Sequence, residues 1–436
     1  MEMTLRRNNR ISTVILGYLF IASTILMASC SKSTNSGGGG TGGGGTGGGG
    51  TTPPLNAEIT IMANDAKQTI QGFGCATVFN PPNTNPLTNE EIGRLFGSGD
   101  NQVGLNILRI RVATDASWRS TELNYAKQAK LNGAIIMASP WSPPANMKTN
   151  NSLIGGSLKT DSSEAYARYL NNFADYMATN GAPLHAISVQ NEPDISVTYE
   201  SCDWTADQMR VFIKDYGNLV TSTQLMAPES FNNNQTFTNA ILNDAGAAAN
   251  LDIVGGHIYG SGVVENTVAK NLGKEVWMTE HLDENTNYSD NLNTAIEIHN
   301  CLTVANFNAY IWWYGKRFYG PIGQDGLITK RGYVMSQYAR FIKAGAVRAG
   351  TGTNSTSDVL ISAYKNSNGK KVIVAINKGT SNVNQKITIS DATLSSVVPY
   401  TTSLTQNAER GSSVAATNNS FTYLLPLQSI TTFVEQ

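Results

Sequence analysis

Two glutamates, Glu192 and Glu280, stand where an apolar, β-prone run stops: Ser188-Val-Gln-Asn-Glu-Pro193 and Val276-Trp-Met-Thr-Glu-His281. His185-Ala-Ile precedes the first run and Gly273-Lys-Glu the second, so both read as bounded parallel strands that bring carboxylates to one rim. A pair of carboxyl groups can open a glycosidic bond, one protonating the leaving oxygen while the other meets the oxocarbenium-like carbon. Asn191 would donate to a sugar hydroxyl beside Glu192, and Pro193 would stiffen the turn that aims them. Against this, a lone Asn-Glu-Pro recurs by chance, and a glutamate after a strand can simply cap the next helix. Glu229, in Leu225-Met-Ala-Pro-Glu-Ser230, and Asp194 are rivals for the same part.

Aromatic residues gather at other strand ends: Trp141 in Ser139-Pro-Trp-Ser-Pro-Pro144, Tyr259 in Gly256-His-Ile-Tyr-Gly260, and Trp312-Trp313-Tyr314. Core packing is the commoner fate of a tryptophan. Here Pro, Gly and Ser surround them, where flat faces would be free to stack on sugar rings. Trp141 and Trp313 are therefore expected as walls of a sugar site and Trp312 as core, since neighbours on a strand point opposite ways. Arg109 and Arg111 share one strand face, and either could lend its charge to a carboxylate; the plain alternative is a structural salt bridge. His257 and His281 invite a metal, but no third ligand stands at a supporting spacing, so neither metal nor cofactor is expected. No Gly-x-Ser-x-Gly elbow points to a serine hydrolase.

The elements that must position these groups alternate. Eight short apolar runs, at 70–74, 106–111, 134–139, 186–190, 224–227, 252–257, 275–279 and 309–313, are separated by helical patterns at 90–96, 120–131, 164–179, 206–219, 236–248, 267–272 and 294–305. Eight βα units predict an α/β fold, a (β/α)8 TIM barrel whose active site lies at the C-terminal ends of the strands. Glu192 and Glu280 would then end the fourth and seventh strands, which face each other. After about Phe341 the pattern changes to strict alternation with Asn-Ser-Asn-Gly-type turns, which predicts antiparallel sheet. With the run Ala57 to Ile61, this gives a fused antiparallel β-sandwich side domain built from both chain ends. The expected boundaries are 57–69 for the N-terminal strand, 70–343 for the barrel and 344–436 for the side domain.

The chain has 436 residues, 40% of them hydrophobic, and a net charge of −1, so it can bury a large core but lacks the field to collect a nucleic acid. Residues 1–30 place Arg6, Arg7 and Arg10 before an apolar run and end in Met27-Ala-Ser-Cys30, the pattern of a bacterial lipoprotein signal with Cys30 as the lipidated residue. Residues 31–54 are a Gly/Thr-rich flexible linker. An exported lipoprotein is expected, held at a membrane, the outer one, by its lipid alone, with the periplasmic or surface face open and the body a monomer. Cys75, Cys202 and Cys301 are too few and too scattered for a disulfide framework.

Taken together, Gln71-Gly-Phe-Gly74, Ser139-Pro-Trp-Ser-Pro-Pro144, Gln190-Asn-Glu-Pro193, Trp277-Met-Thr-Glu-His281, Trp312-Trp-Tyr-Gly-Lys-Arg-Phe-Tyr-Gly320, Asp325-Gly and Lys330-Arg-Gly-Tyr-Val-Met-Ser-Gln-Tyr-Ala-Arg-Phe341 resemble glycoside hydrolase family 30, and within it the bacterial glucuronoxylanases. The resemblance implies retaining, endo-acting hydrolysis of β-1,4-xylan in plant cell walls, with Glu192 as acid/base and Glu280 as nucleophile. It further implies Arg109 as the barrel arginine, Trp141, Tyr259 and Trp313 as subsite aromatics, and Arg317, with Tyr319 near it, as binder of a glucuronyl carboxylate. One stretch departs from that pattern. Those enzymes carry an aromatic residue after Thr-Glu-His and a small hydroxyl residue shortly beyond, whereas Leu282 here cannot donate a hydrogen bond and Asp283 and Glu284 would repel a carboxylate. Dependence on glucuronyl decoration is therefore expected to be weakened. Two alternatives remain: another β-glycan (a β-1,6-glucan, or a glucosyl or fucosyl linkage), or a surface glycan-binding protein without turnover.

Overall fold

The computed structural model describes residues 54–77 and 86–436. The expected lipoprotein signal, Cys30 and the glycine-rich linker as far as residue 53 lie outside the described residues. Eight parallel strands, Gly72–Ala76, Ile107–Arg111, Ile135–Ser139, Ala186–Ser188, Gln224–Ser230, Ile253–His257, Glu275–Glu280 and Ala309–Tyr314, close into one barrel in chain order. They are the eight expected runs with ends shifted by a few residues. Ile107, Met137, Ala186, Met226, Ile253, Trp277, Ala309 and Ile311 fill the interior as a buried cluster of their own, and a larger cluster binds the strands' outer faces to the helices.

Capping chemistry sets most of the helix boundaries that differ from expectation. The helix expected over 236–248 is two, Gln235–Leu242 and Ala245–Asn250, because Asp244 accepts the backbone N–H groups of Gly246 and Ala247 at 3.0 and 3.2 Å and starts the second one. The helix expected from residue 294 begins six residues earlier, as Tyr288–Thr303, where Asn287 accepts from the Asp290 N–H. Lys330–Ala339, read only as a motif, is a helix capped by Thr329.

The side sheet has ten strands and is mostly antiparallel, with its own core of residues such as Ile59, Ile61, Ile373, Ile387, Phe421 and Phe433. The first strand, Leu55–Ile70, has nearly the expected 57–69 extent and pairs with two neighbours: its end antiparallel with Ala346–Thr351, and its start parallel with Val383–Ile389. That parallel pair corrects the all-antiparallel expectation. The whole strand belongs to the side sheet, as far as the Ile70–Ala346 pair, and the first barrel strand begins at Gly72 directly after it. Cys75, Cys202 and Cys301 are buried free thiols.

Gly74 shows how tightly the first two barrel strands approach. A Cβ there would lie 2.4 Å from the Ile107 carbonyl oxygen, a backbone atom that cannot turn aside. Gly74→Ala should therefore destabilise the fold by about 1–3 kcal/mol, read as a lower midpoint in thermal unfolding with unchanged cooperativity.

Candidate active site

Each of three glutamates reaches the barrel mouth through a departure from regular strand geometry. Glu192 follows the fourth strand in the left-handed region, φ 47°, and its N–H donates to the Glu229 carbonyl at 3.0 Å. Glu229, itself at φ 54°, sits in an irregularity of the fifth strand between Pro228 and Ser230. On the seventh strand, simple alternation would give the face of Trp277 to Thr279. A register shift against the sixth strand pairs His257 with Glu280 instead and turns Glu280 inward.

Two of them, Glu229 and Glu280, meet at Arg109. Its Nη1 donates to Glu280 Oε2 at 2.5 Å, its Nη2 to Asn191 Oδ1 at 2.7 Å and Glu229 Oε1 at 3.1 Å, and its Nε to Ser139 Oγ at 3.2 Å. Arg111 instead pairs with Glu200, so of the two strand-two arginines only Arg109 serves the carboxylates. The Tyr259 hydroxyl donates to Glu280 Oε1 at 2.8 Å, and the Tyr199 hydroxyl to Glu192 Oε2 at 3.3 Å. His257 completes the cluster, with Nδ1 3.0 Å from Glu192 Oε1 and Nε2 3.9 Å from both Glu229 and Glu280.

Burial opposes charge on the Arg109 guanidinium, but the Glu229 and Glu280 carboxylates raise its pKa further. Burial likewise works against an imidazolium at His257, yet the charge of Glu280 and the bond to Glu192 carry it up to about 9. Glu229 would be raised by burial, and the Arg109 charge instead brings it down to about 2. Burial and the Glu280 charge hold the Tyr259 phenol far above its ordinary range.

Exposure separates the glutamates. Glu192 and Glu280 are each 6% exposed and line a cleft of about 470 Å3, whereas Glu229 is 0% exposed and does not reach it. Asp194, the other rival, accepts from the Ser230 hydroxyl and the Phe231 N–H and so braces the neighbouring loop. The remaining cleft walls are Trp141, Trp313, Tyr259, Tyr199, Phe231 and Leu282. The two indoles lie 5.8 Å apart between ring centroids, with the Arg109 guanidinium 4.9 Å from one and 5.7 Å from the other. Trp312 is buried beneath Arg331, as its alternation predicts. Asn191 commits its carbonyl to Arg109 and keeps its amide N–H donors without a partner among the described residues.

Tyr199 and Phe231 were missed by sequence reasoning. Phe231 directly follows the fifth strand, as Tyr259 closely follows the sixth, so the same rule could have found it; Tyr199 lies in a loop with no periodicity to mark it. The two histidines do not act together: His281 Nδ1 bonds Glu297 at 2.9 Å. His257 does lie with Glu192 and Glu280, one ligand atom from each within 4.8 Å of the others, which is the spacing of a metal site. Arg109 already meets that negative charge at 2.5 Å, and its own charge opposes a cation beside it.

The family model of the glycosyl hydrolase family 30 TIM-barrel domain matches residues 89–279, and that of the family 30 beta-sandwich domain matches residues 345–433. The chain is 38% identical over 392 residues to Glucuronoxylanase XynC of Bacillus subtilis (strain 168), covering 87% of this chain and 92% of the relative. The chain belongs to glycoside hydrolase family 30. It is similar in structure to the family 30 subfamily 8 xylanase Xyn30A from Clostridium acetobutylicum, with a TM-score of 0.81 and 39% identity over 87% of this chain and 99% of that one. A family 30 endoxylanase from Clostridium papyrosolvens C71 gives a TM-score of 0.79 and 37% identity over 87% and 100%. This family 30 chain is a glycosidase.

In this family 30 glycosidase the loop after the seventh strand places the two acids expected to repel a carboxylate differently. Asp283 faces Arg331, 3.9 Å away, and accepts from Asn285, so its carboxylate is held within the loop; Glu284 is exposed. Arg317 and Tyr319 stand outside the inner cleft wall. Arg317 is half-buried, 4.1 Å from the centre of the Tyr314 ring, with no ion pair among the described residues. Burial pushes the Tyr319 phenol up to about 12, with Tyr314, Arg317, Glu284 and Glu280 also acting on it.

Because the His257 pKa is raised on folding, its contribution to stability is complete below its ordinary 6.5 and is lost as pH climbs through about 9. Thermal unfolding followed across that window should show a falling midpoint. His257→Gln should start from a lower midpoint and lose that component of the fall.

Proposed function

We propose that this enzyme cleaves β-1,4-xylan internally, with retention of anomeric configuration, through Glu280 as nucleophile and Glu192 as acid/base. The observation that carries the mechanism is separation: one oxygen of Glu192 and one of Glu280 lie within 4.8 Å. That suits the close spacing of a retaining pair, roughly 5–5.5 Å between carboxyl groups. Arg109 and Tyr259 hold the two oxygens of Glu280, so the carboxylate is fixed toward the anomeric carbon. Glu280 attacks and displaces the leaving oxygen, which takes the proton of Glu192. Glu192 then deprotonates a water that releases the sugar from Glu280, restoring both groups. The His257 and Tyr199 contacts fix Glu192 for both proton transfers.

Xylan is favoured by the similar proteins, which are named glucuronoxylanase, xylanase and endoxylanase. Trp141 and Trp313 offer sugar-sized aromatic walls, and the free amide donors of Asn191 suit a ring hydroxyl. Arg317, lacking a carboxylate partner, is the group in this region best suited to a glucuronyl side chain. Leu282 in the cleft wall supplies no hydrogen bond to such a group, so decoration is read as accepted and not required. The N-terminal sequence supports an exported lipoprotein anchored through Cys30, and the body is read as a monomer.

Mass spectrometry of digests of glucuronoxylan, arabinoxylan and undecorated xylooligosaccharides, with Glu280→Gln as blank, tests the substrate. Cutting of all three is expected. Products that each carry one glucuronyl group at a fixed distance from the reducing end, with undecorated chains left whole, would restore a strict role for Arg317. No cutting of any xylan would shift the assignment to another β-glycan.

A further inference from the structure

The two oxygens of Glu192 have different neighbours. Oε1 lies 3.0 Å from His257 Nδ1, and Oε2 accepts from the Tyr199 hydroxyl at 3.3 Å. Against its burial, His257 is carried up to about 9 by the Glu280 charge and the bond to Glu192, so at neutral pH both of its ring nitrogens are donors. Oε1 takes that N–H as the carbonyl-type acceptor, which leaves Oε2 as the oxygen that carries the acid proton. The glycosidic oxygen must therefore come within hydrogen-bond reach of Oε2, and so within two hydrogen-bond lengths of the Tyr199 hydroxyl.

Tyr199 belongs to a loop that is anchored beside it. The Ser201 N–H donates to the Leu153 carbonyl at 3.0 Å, the Asp203 N–H to the Gly156 carbonyl at 2.8 Å and the Gly155 N–H to Ser201 Oγ at 2.9 Å. Glu200 pairs with Arg111. Lys148, fully buried, donates from Nζ to Ser142 Oγ at 2.9 Å and to the Ser201 carbonyl at 2.5 Å, which ties this loop to the one that carries Trp141. The Tyr199 side chain nevertheless stays 50% exposed, with its ring a wall of the cleft. Trp141 differs: it is buried and packed on Arg109. Partial burial and the charges of Glu192 and Glu280 hold the Tyr199 phenol far above its ordinary range, so its hydroxyl remains a donor.

The acid proton goes to the oxygen that departs with the leaving sugar, so a group beside Oε2 flanks that sugar and not the one that becomes bonded to Glu280. We propose that Tyr199 governs the leaving-sugar side of the reaction: its hydroxyl aims Oε2 of Glu192 at the glycosidic oxygen, and its open ring is the wall on which the departing xylosyl unit stacks. This role rests on Glu192 being the acid/base. Tyr199 moves no proton; it positions Glu192 and binds the leaving sugar. In the second step the same wall holds an incoming sugar acceptor, which competes with water for the covalent intermediate.

Two substitutions separate the hydroxyl from the ring, and two substrates separate steps that need the acid from steps that do not. The leaving group of dinitrophenyl β-xylobioside departs without a proton, whereas that of xylohexaose needs one. Tyr199→Phe should lower kcat/KM on xylohexaose about tenfold relative to kcat/KM on the dinitrophenyl substrate. Tyr199→Ala should also turn the glycosyl-enzyme formed from the dinitrophenyl substrate toward water, cutting the share transferred to added xylobiose about fivefold, while Tyr199→Phe keeps that share. Both readouts are ratios within one preparation, so a partly unfolded variant does not imitate them. Glu192→Ala should show the xylohexaose-selective loss more strongly. If Glu192→Ala lacks that selectivity, the acid/base assignment falls and the role of Tyr199 with it. If Glu192→Ala shows it but Tyr199→Phe affects both substrates equally or neither, or if Tyr199→Ala transfers to xylobiose as well as the unsubstituted enzyme does, the proposal alone is overturned.

Discussion

Everything at the barrel mouth is arranged around one buried guanidinium. Arg109 has no exposed surface, and it donates to two carboxylates, an amide and a hydroxyl on four other strands or the loops that follow them. A buried charge is tolerable only when it is paired and hydrogen-bonded, and removing one partner of such a pair costs about 3–5 kcal/mol. The constraint runs both ways: Arg109 makes it possible to bury Glu229 and nearly bury Glu280, and those glutamates in turn fix its planar fork. The indoles of Trp141 and Trp313 pack against the same guanidinium, so the sugar-binding walls and the carboxylates share one reference point.

That arrangement explains why the surrounding backbone is irregular. Glu192 and Glu229 both adopt left-handed conformations that a non-glycine residue takes only when its surroundings impose them, and their backbones are bonded to each other. The register shift at Glu280 is a third departure in the same place. Regular strands would point alternate side chains inward, which suits the layer of Met137, Met226 and Trp277 lower in the barrel. It does not suit three carboxylates gathered at one point, two of them on Arg109 and the third, Glu192, on His257. His257 adds a second positive group, so the cluster sets three acids against two cations in a space largely closed to water.

Much of this was legible in the sequence. The eight strands could be read because each is a short apolar run stopped by a polar or aromatic residue, and that same stop placed Glu192, Glu280, Trp141, Tyr259 and Trp313. What periodicity could not carry was lost. The bulge that turns Glu280 inward leaves no trace in spacing, and Glu229 was set aside only because the fourth and seventh strands face each other; its burial and its bond to Arg109 were not legible. Tyr199 lies in an irregular loop, and Asp283 looked like a charge at the cleft although Arg331, 48 residues later in the chain, draws it into the loop. The first strand was placed at 57–69 and is observed at Leu55–Ile70, but nothing in its polar second half, Asn64 to Thr69, signals that this stretch pairs with Ala346–Thr351 instead of Val383–Ile389.

The central claim is that Glu280, held by Arg109 and Tyr259, forms a covalent bond to the sugar while Glu192 moves the proton. Mass spectrometry of peptic fragments after incubation with a 2-deoxy-2-fluoro-xylobioside carrying a good leaving group tests it most directly, because the fluorine slows release of the glycosyl-enzyme more than its formation. The account predicts one added disaccharide residue per chain, located on the fragment containing Glu280 and absent from Glu280→Gln. A label on Glu192 or Glu229, or hydrolysis of this substrate that inverts the anomeric centre without any covalent adduct, would contradict it.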